Sequence, residues 1–172
     1  TLVAHVLGFV ESGRLQRERR TVFAQQQVLR RYATLDDLTG LGNRRLFYEA
    51  ADAQLQRPCD GLRETAIMLV DLDRFKEIND TLGHHTGDIL LQGIASRMRH
   101  ALPEALALAR LGGDEYAALL FGGSGDDWAV AQAQRFLSTF DTPFELDGLG
   151  LHMHASIGLA VCRHGEDRQT LL

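Results

Sequence analysis

The run Ala105-Leu106-Ala107-Leu108-Ala109-Arg110-Leu111-Gly112-Gly113-Asp114-Glu115-Tyr116-Ala117-Ala118-Leu119-Leu120-Phe121 sets two apolar segments on either side of Gly112-Gly113-Asp114. Such a pattern predicts a β-hairpin, although two glycines before an acid need not form the tightest turn. Upstream, Thr65 to Leu72 is a short apolar run bounded by charge and reads as a buried strand. Between these pieces lie a short helix near Arg74 to Asp80, a loop Gly83-His84-His85-Thr86-Gly87-Asp88, and a helix to about His100 with the stripe Leu90, Leu91, Ile94, Arg97 and Met98. Asn43 can cap a helix running to about Gln56. Downstream, Asp126 opens a helix that Pro143 ends. Leu149 to Cys162 then reads as one long strand or a strand pair with a turn near Asp147-Gly148. This order predicts an α+β domain: a central, mostly antiparallel sheet flanked by helices.

Residues 2 to about 33 lack proline and read as an N-terminal connector helix, so the chain divides into 1–33 and 34–172. Leu15, Val22 and Leu29 recur every seven residues, but Glu18 and Gln25 are polar where a coiled-coil seam needs apolar side chains. Weak pairing with a second copy and simple packing on its own domain both fit that pattern.

The chain has 172 residues, 45% hydrophobic and 24% charged, which suits one folded domain with an accessory element and argues against disorder. Cys59 and Cys162 stand far apart and fit a reduced, cytoplasmic setting better than a disulfide framework. No apolar run reaches membrane-spanning length, although a longer parent protein could still be anchored. Net charge is −5, with +4 in residues 1–35 and −9 in the remainder. An acidic body is a poor partner for nucleic acid and a suitable one for divalent cations.

Acids fall at three strand or helix ends: Asp71-Leu72-Asp73, Asp114-Glu115 and Gly87-Asp88. Carboxylates converging from separate elements suit a hard cation such as Mg²⁺, which is usually shared with substrate phosphates. Gly112 and Gly113 would let backbone approach a polyanion without a Cβ in the way. Solvated loop acids are the plain alternative.

Five stretches sharpen the choice. Asp36-x-Leu38-Thr39-Gly40-Leu41-x-Asn43-Arg44-Arg45 is followed by Asp71-x-Asp73-x-Phe75-Lys76-x-Ile78-Asn79-Asp80 and by Gly83-His84-x-x-Gly87-Asp88. Then come Arg110-x-Gly112-Gly113-Asp114-Glu115-Tyr116 and Ser156-Ile157-Gly158. In order and spacing, residues 34–172 resemble the GGDEF family of diguanylate cyclases. The resemblance implies a palm-like nucleotidyl-cyclase fold and the condensation of two GTP into cyclic di-GMP with release of two pyrophosphates. It implies a homodimer with one GTP per subunit, an upstream sensor domain and, from Pro143-Phe144-x-Leu146-Asp147-Gly148, a downstream EAL domain.

By the same resemblance, Asp71, Asp114 and the backbone carbonyl of Leu72 would hold two Mg²⁺ or Mn²⁺ ions. Asp114 is the candidate base and Glu115 its neighbour in metal binding or geometry. Asn79 and Asp88 match guanine-reading positions, and an ionised Asp suits guanine's N–H donors. Lys76, the chain's one lysine, matches a phosphate contact, and His84 a substrate contact. Bland readings stand beside these: a helix N-cap for Asp88, a structural hydrogen bond for His84, a solvated helix face for Lys76. Asp36, Arg44 and Arg45 are assigned to ion pairs fixing the first loop, and Asp73 to a supporting role. His152 and His154 would share one face of a strand as packing or surface residues.

Three departures matter. Tyr116 adds a hydroxyl where the family has Phe, which needs a partner if buried. The family's last helix, which brings a lysine and an arginine to the triphosphate, would begin about where Leu171-Leu172 stands; a catalytically weak GTP-binding regulatory module is therefore the alternative reading. The family's inhibitory product site, an Arg-x-x-Asp, is replaced by Pro103 and Leu106. Neither side chain can make a charged contact, so calorimetry is expected to find no cyclic di-GMP binding at this surface; micromolar binding there would refute the expectation.

Overall fold

The computed structural model describes residues 34–57, 63–123, 125–146 and 148–162. The expected connector helix, Cys59 and the chain after Cys162 lie outside the described residues. In chain order the elements are β1 (Gly42–Asn43), α1 (Arg44–Leu55), β2 (Thr65–Leu72), α2 (Phe75–Leu82), α3 (His84–Ala101), β3 (Ala107–Gly112) and β4 (Glu115–Phe121). They continue with α4 (Asp126–Leu137), a 3₁₀ turn (Ser138–Asp141), β5 (Phe144–Leu146), β6 (Leu149–Leu151) and β7 (Ala155–Cys162).

The main sheet runs β1-β3-β4-β2-β7. All its pairings are antiparallel except the two-residue β1, which lies parallel to β3. β5 and β6 form a separate hairpin. The α+β, palm-like class is thus the observed one. The segment read as one strand or two is two strands in different sheets, so His152 and His154 sit in the connection between them rather than on a strand face. β1 and β5 escaped the sequence reading because two or three residues are too few to show a period of two.

β2 explains why its sequence is continuously apolar. Ile67 packs with Phe47 and Ala51 of α1 on one face, together with Ala107, Ala117 and Leu119. Ala66, Met68, Val70 and Leu72 face the larger core, where α3 presents Leu90, Leu91, Ile94, Ala95 and Met98. Burial on both faces is the usual reason a strand loses alternation. The alternation returns at its end: Leu69 is 49% exposed, and Asp71 is exposed while Leu72 is buried.

Helix starts follow local chemistry. The side chain of Asn43 accepts a hydrogen bond from the amide of Leu46 at 3.1 Å, capping α1 as expected. α3, in contrast, begins at His84 with Gly83 as its N-cap, so Asp88 lies one turn inside the helix and does not cap it. Arg97, a charged member of the α3 stripe, points at the 3₁₀ turn. It donates to the carbonyls of Thr139, Thr142 and Pro143, and its guanidinium lies 3.5 Å from the centre of the Phe144 ring.

Tyr116 is fully buried, and its hydroxyl donates to the Leu91 carbonyl of α3 at 2.9 Å. Burial pushes the phenol well above its ordinary pKa, so it remains a donor. Tyr116→Phe is expected to cost about 1 kcal/mol in urea unfolding, the usual net value of one such bond, with the fold unchanged. No loss of stability would mean the hydroxyl is merely tolerated.

Candidate active site at the hairpin tip

Strand register assembles the acids. Asp71, near the end of β2, lies opposite Glu115, the first residue of β4, and opposite Ser156 of β7 on its other side. Asp114 occupies the turn immediately before Glu115. The group is like-charged: slight burial raises the pKa of Asp71, and the carboxylates of Asp114, Glu115 and Asp73 raise it further. Asp73 accepts a hydrogen bond from the Ser156 hydroxyl at 2.8 Å. A cavity of about 340 Å³ opens beside these groups, lined by Asp71, Glu115, Leu69, Leu111, Ser156 and Gly158 among others.

The turn itself depends on glycine. Gly112 has φ +146° and Gly113 φ +52°, conformations that side chains disfavour, and no atom lies within 4 Å of where their Cβ atoms would be. Backbone amides at this tip are therefore approachable. The pairing shifts register between Arg110 and Gly112, which is the irregularity that makes room for the turn.

Two arginines hold the tip. Arg44, the first residue of α1, donates to the Leu111 carbonyl at 3.1 Å and lies 3.6 Å from the Glu115 carboxylate. Arg110 donates to the Gly113 carbonyl at 2.9 and 2.7 Å and pairs with Asp36 at 3.3 Å. Burial would push the Asp36 carboxyl up, but the Thr39 hydroxyl and amide and the Arg110 guanidinium outweigh it and hold the carboxyl below its ordinary range. Arg45 pairs with Glu49 on its own helix at 2.8 Å, so the expected loop-fixing role holds for Asp36 and not for Arg45. Arg110 is the functional candidate whose place in the Arg110-x-Gly112-Gly113 stretch carried no role by itself.

A second group of expected residues lies where α2 meets α3. Asn79 packs against Gly87 so closely that a Cβ at 87 would fall 2.0 Å from Asn79 Oδ1. That oxygen is buried and makes no hydrogen bond. Asp88 follows Gly87 on the same helix and is exposed. Lys76 and His84 are exposed on α2 and at the start of α3. No described hydrogen bond or ion pair joins this corner to the hairpin tip. A larger groove of about 470 Å³ lies between α2 and the β6–β7 connection; of the acids read as candidates above, only Asp73 lines it.

Can the tip hold a metal? Among the described residues no three His, Cys, Asp or Glu side chains stand close enough to enclose an ion by themselves. That agrees with Mg²⁺, which binds through one or two carboxylates and completes its shell with water and phosphate oxygens. The donor set, hard oxygens that include three carboxylates raising the pKa of Asp71, fits such an ion. Leu72 is a core residue on its side-chain face, so only its main-chain carbonyl is eligible.

The model for the GGDEF domain of diguanylate cyclases matches residues 33–172. The chain belongs to the GGDEF family. The diguanylate cyclase TpbB of Pseudomonas aeruginosa is 41% identical over 128 residues, which cover 73% of this chain and 29% of that protein. The cyclic di-GMP phosphodiesterase NbdA of the same organism is 39% identical over 145 residues, covering 84% of this chain and 18% of NbdA. Both relatives are therefore several times longer than the region they share with this chain. A solved structure comprising only the GGDEF domain of TpbB superposes with a TM-score of 0.64 at 38% identity, covering 74% of each chain. Among the described residues no helix is long and apolar enough to cross a membrane.

The raised pKa of Asp71 has a definite sign. A carboxyl that is harder to ionise when folded lowers stability as pH rises above its unfolded value, because ionisation then favours the unfolded chain. In chelator-containing buffer, Asp71→Asn is therefore expected to be more stable than the parent at pH 7, with the difference closing below the ordinary carboxylate range. A thermal melt series across pH measures this; a variant less stable than the parent at pH 7 would show that Asp71 makes a stabilising contact instead.

Proposed function

We propose that this domain is a diguanylate cyclase that condenses two GTP into cyclic di-GMP and two pyrophosphates, using Asp114 and Glu115 at the hairpin tip. The observation that carries the reading is the meeting of the acids at the hairpin tip, where strand register sets Asp71 opposite Glu115 and the Asp114 and Glu115 carboxylates help raise the pKa of Asp71. In each half-reaction a GTP 3′-oxygen forms a bond to the α-phosphorus of the other GTP while the bond to pyrophosphate breaks. The hydroxyl proton passes to a carboxylate at the tip, Asp114 being the acceptor and Glu115 its neighbour. Asp71, Asp114 and the Leu72 carbonyl would hold two Mg²⁺ or Mn²⁺ ions, which when bound supply neutralising charge for the phosphates and a more acidic hydroxyl. Gly112 and Gly113 leave their amides open to phosphate oxygens.

The α2–α3 corner reads the base. The buried, unpaired Oδ1 of Asn79 needs a donor, and a buried acceptor left without one costs about 1–3 kcal/mol. Guanine offers an exocyclic amine and N1–H, the second suited to the Asp88 carboxylate. Adenine presents a bare acceptor at N1, so the corner favours guanine. Lys76 and His84, exposed on the same two helices, are assigned to phosphate and ribose or base contacts. Each 3′-hydroxyl must reach the other nucleotide, so the reaction calls for two subunits facing each other. An upstream sensor, a downstream EAL domain and a cytoplasmic location complete the proposal.

The likeness to NbdA favours one alternative, a GTP-binding module that regulates a neighbouring domain without turnover. Mass-detected incubation of the chain with GTP and Mg²⁺ separates the two. The cyclase reading expects cyclic di-GMP from the parent, none from Asp114→Ala, and weakened GTP binding or relaxed base choice in Asp88→Ser. GTP binding with no product, from folded and dimeric protein, would establish the module; full turnover by Asp114→Ala would overturn the assignment of the tip.

A further inference from the structure

Asp114 is carried by a turn whose two preceding residues are glycines with no atom within 4 Å of where their Cβ atoms would lie, so no side chain of theirs sets its position. What does fix it is a guanidinium. The Gly113 carbonyl belongs to the peptide plane whose other half is the Asp114 amide. Arg110 grips that oxygen with two N–H groups, Nε at 2.9 Å and Nη2 at 2.7 Å. The same guanidinium turns its remaining edge, Nη1, to the Asp36 carboxylate at 3.3 and 3.4 Å. Its side chain is 14% exposed and that of Asp36 22%, a setting in which an ion pair is screened far less than at an open surface.

Asp36 is itself anchored. Its Oδ1 accepts from the Thr39 amide at 2.9 Å and the Thr39 hydroxyl at 2.6 Å. The backbone of that loop is held from α3, where Arg99 donates to the Thr39 carbonyl at 2.8 Å and Gln92 to the Leu38 carbonyl at 3.1 Å. A continuous chain of contacts thus runs from α3 through the Asp36 loop and Arg110 to one peptide plane at the hairpin tip.

We propose that Arg110, anchored by Asp36, is the positioning residue that holds the Gly113–Asp114 peptide so that the Asp114 carboxylate faces Asp71, and thereby sets the affinity of the tip for divalent cations. The proposal rests on the reading of the tip as a metal site. Arginine is needed because a planar fork can hold a carbonyl with one edge and a carboxylate with the other; the ammonium of lysine keeps the charge and loses that geometry. Groups that orient a metal-binding carboxylate from behind typically contribute about 10–100-fold in metal affinity.

The test titrates the chain with Mn²⁺ alone and counts free ion by electron paramagnetic resonance, with circular dichroism confirming the fold. Arg110→Lys is expected to bind Mn²⁺ about tenfold more weakly than the parent while remaining folded. Asp36→Asn, which leaves Arg110 in place but loosens its anchor, is expected to fall between the two, and the double variant to bind no more weakly than Arg110→Lys alone. Mn²⁺ affinity unchanged in folded Arg110→Lys would overturn the proposal. If that variant fails to fold, unchanged affinity in Asp36→Asn does the same. Asp114→Asn keeps the two readings apart: parental Mn²⁺ affinity in this variant would refute the metal site itself, whereas its loss alongside full affinity in Arg110→Lys would refute only the positioning role.

Discussion

Everything at the site follows from how β2 is buried along its length. From Thr65 to Met68 it is covered on both faces, and it is paired with β4 and β7 along both edges. Toward its end the cover on one face stops, and Leu69 and Asp71 emerge there while Val70 and Leu72 stay in the core. An ionised carboxylate deep in the covered part would face a desolvation penalty of several kcal/mol, on the order quoted for buried ions. At the uncovered end it faces little. The strand is therefore rigid because of its buried half and chemically useful because of its exposed end. A one-residue slip would place Asp71 in the core and Leu72 outside, so the hydrophobic pattern of β2 also fixes which side chain meets Glu115.

Charge balance is the next constraint. Four carboxylates, those of Asp71, Asp73, Asp114 and Glu115, gather within one corner, and their repulsion opposes folding in the absence of a counter-charge. The protein answers only in part. Arg44 stands 3.6 Å from Glu115 in an exposed pair, which contributes little. Arg110 spends its charge on Asp36 and its remaining donors on a neutral carbonyl. Asp71 receives no such partner among the described interactions and shows the consequence in its raised pKa. A site fully neutralised by its own arginines would have little left to attract a cation; leaving Asp71 unneutralised preserves that attraction.

Much of this was legible from sequence, and the reasons differ by element. The hairpin was readable because two apolar segments flank a turn marked by glycines, and α1 because Asn43 stands where an N-cap must. The five spaced motifs named the family before any geometry was known. Three features were not readable. Asp88 lies inside α3 rather than at its start, because Gly83 and not a side-chain cap begins the helix. β1 is a strand only through its pairing with β3, a long-range contact that two residues cannot encode. Arg110 looked like any charged residue in a strand, since the carbonyl it holds comes within reach only once the turn is built.

The site divides into two parts with separate structural causes. The tip is made by sheet register and the Arg110 clamp, whereas the α2–α3 corner is made by the close approach of the two helices, which Gly87 permits because any larger residue would collide with Asn79. No described hydrogen bond joins Asn79 or Asp88 to the tip, although α3 itself reaches it through the Asp36 loop and Arg110. On the proposed reading, substitutions of the tip acids leave Asn79 and Asp88 in place, and the reverse change leaves the acids in place. The core that holds β2 and α3 together includes neither the tip carboxylates nor the amide of Asn79.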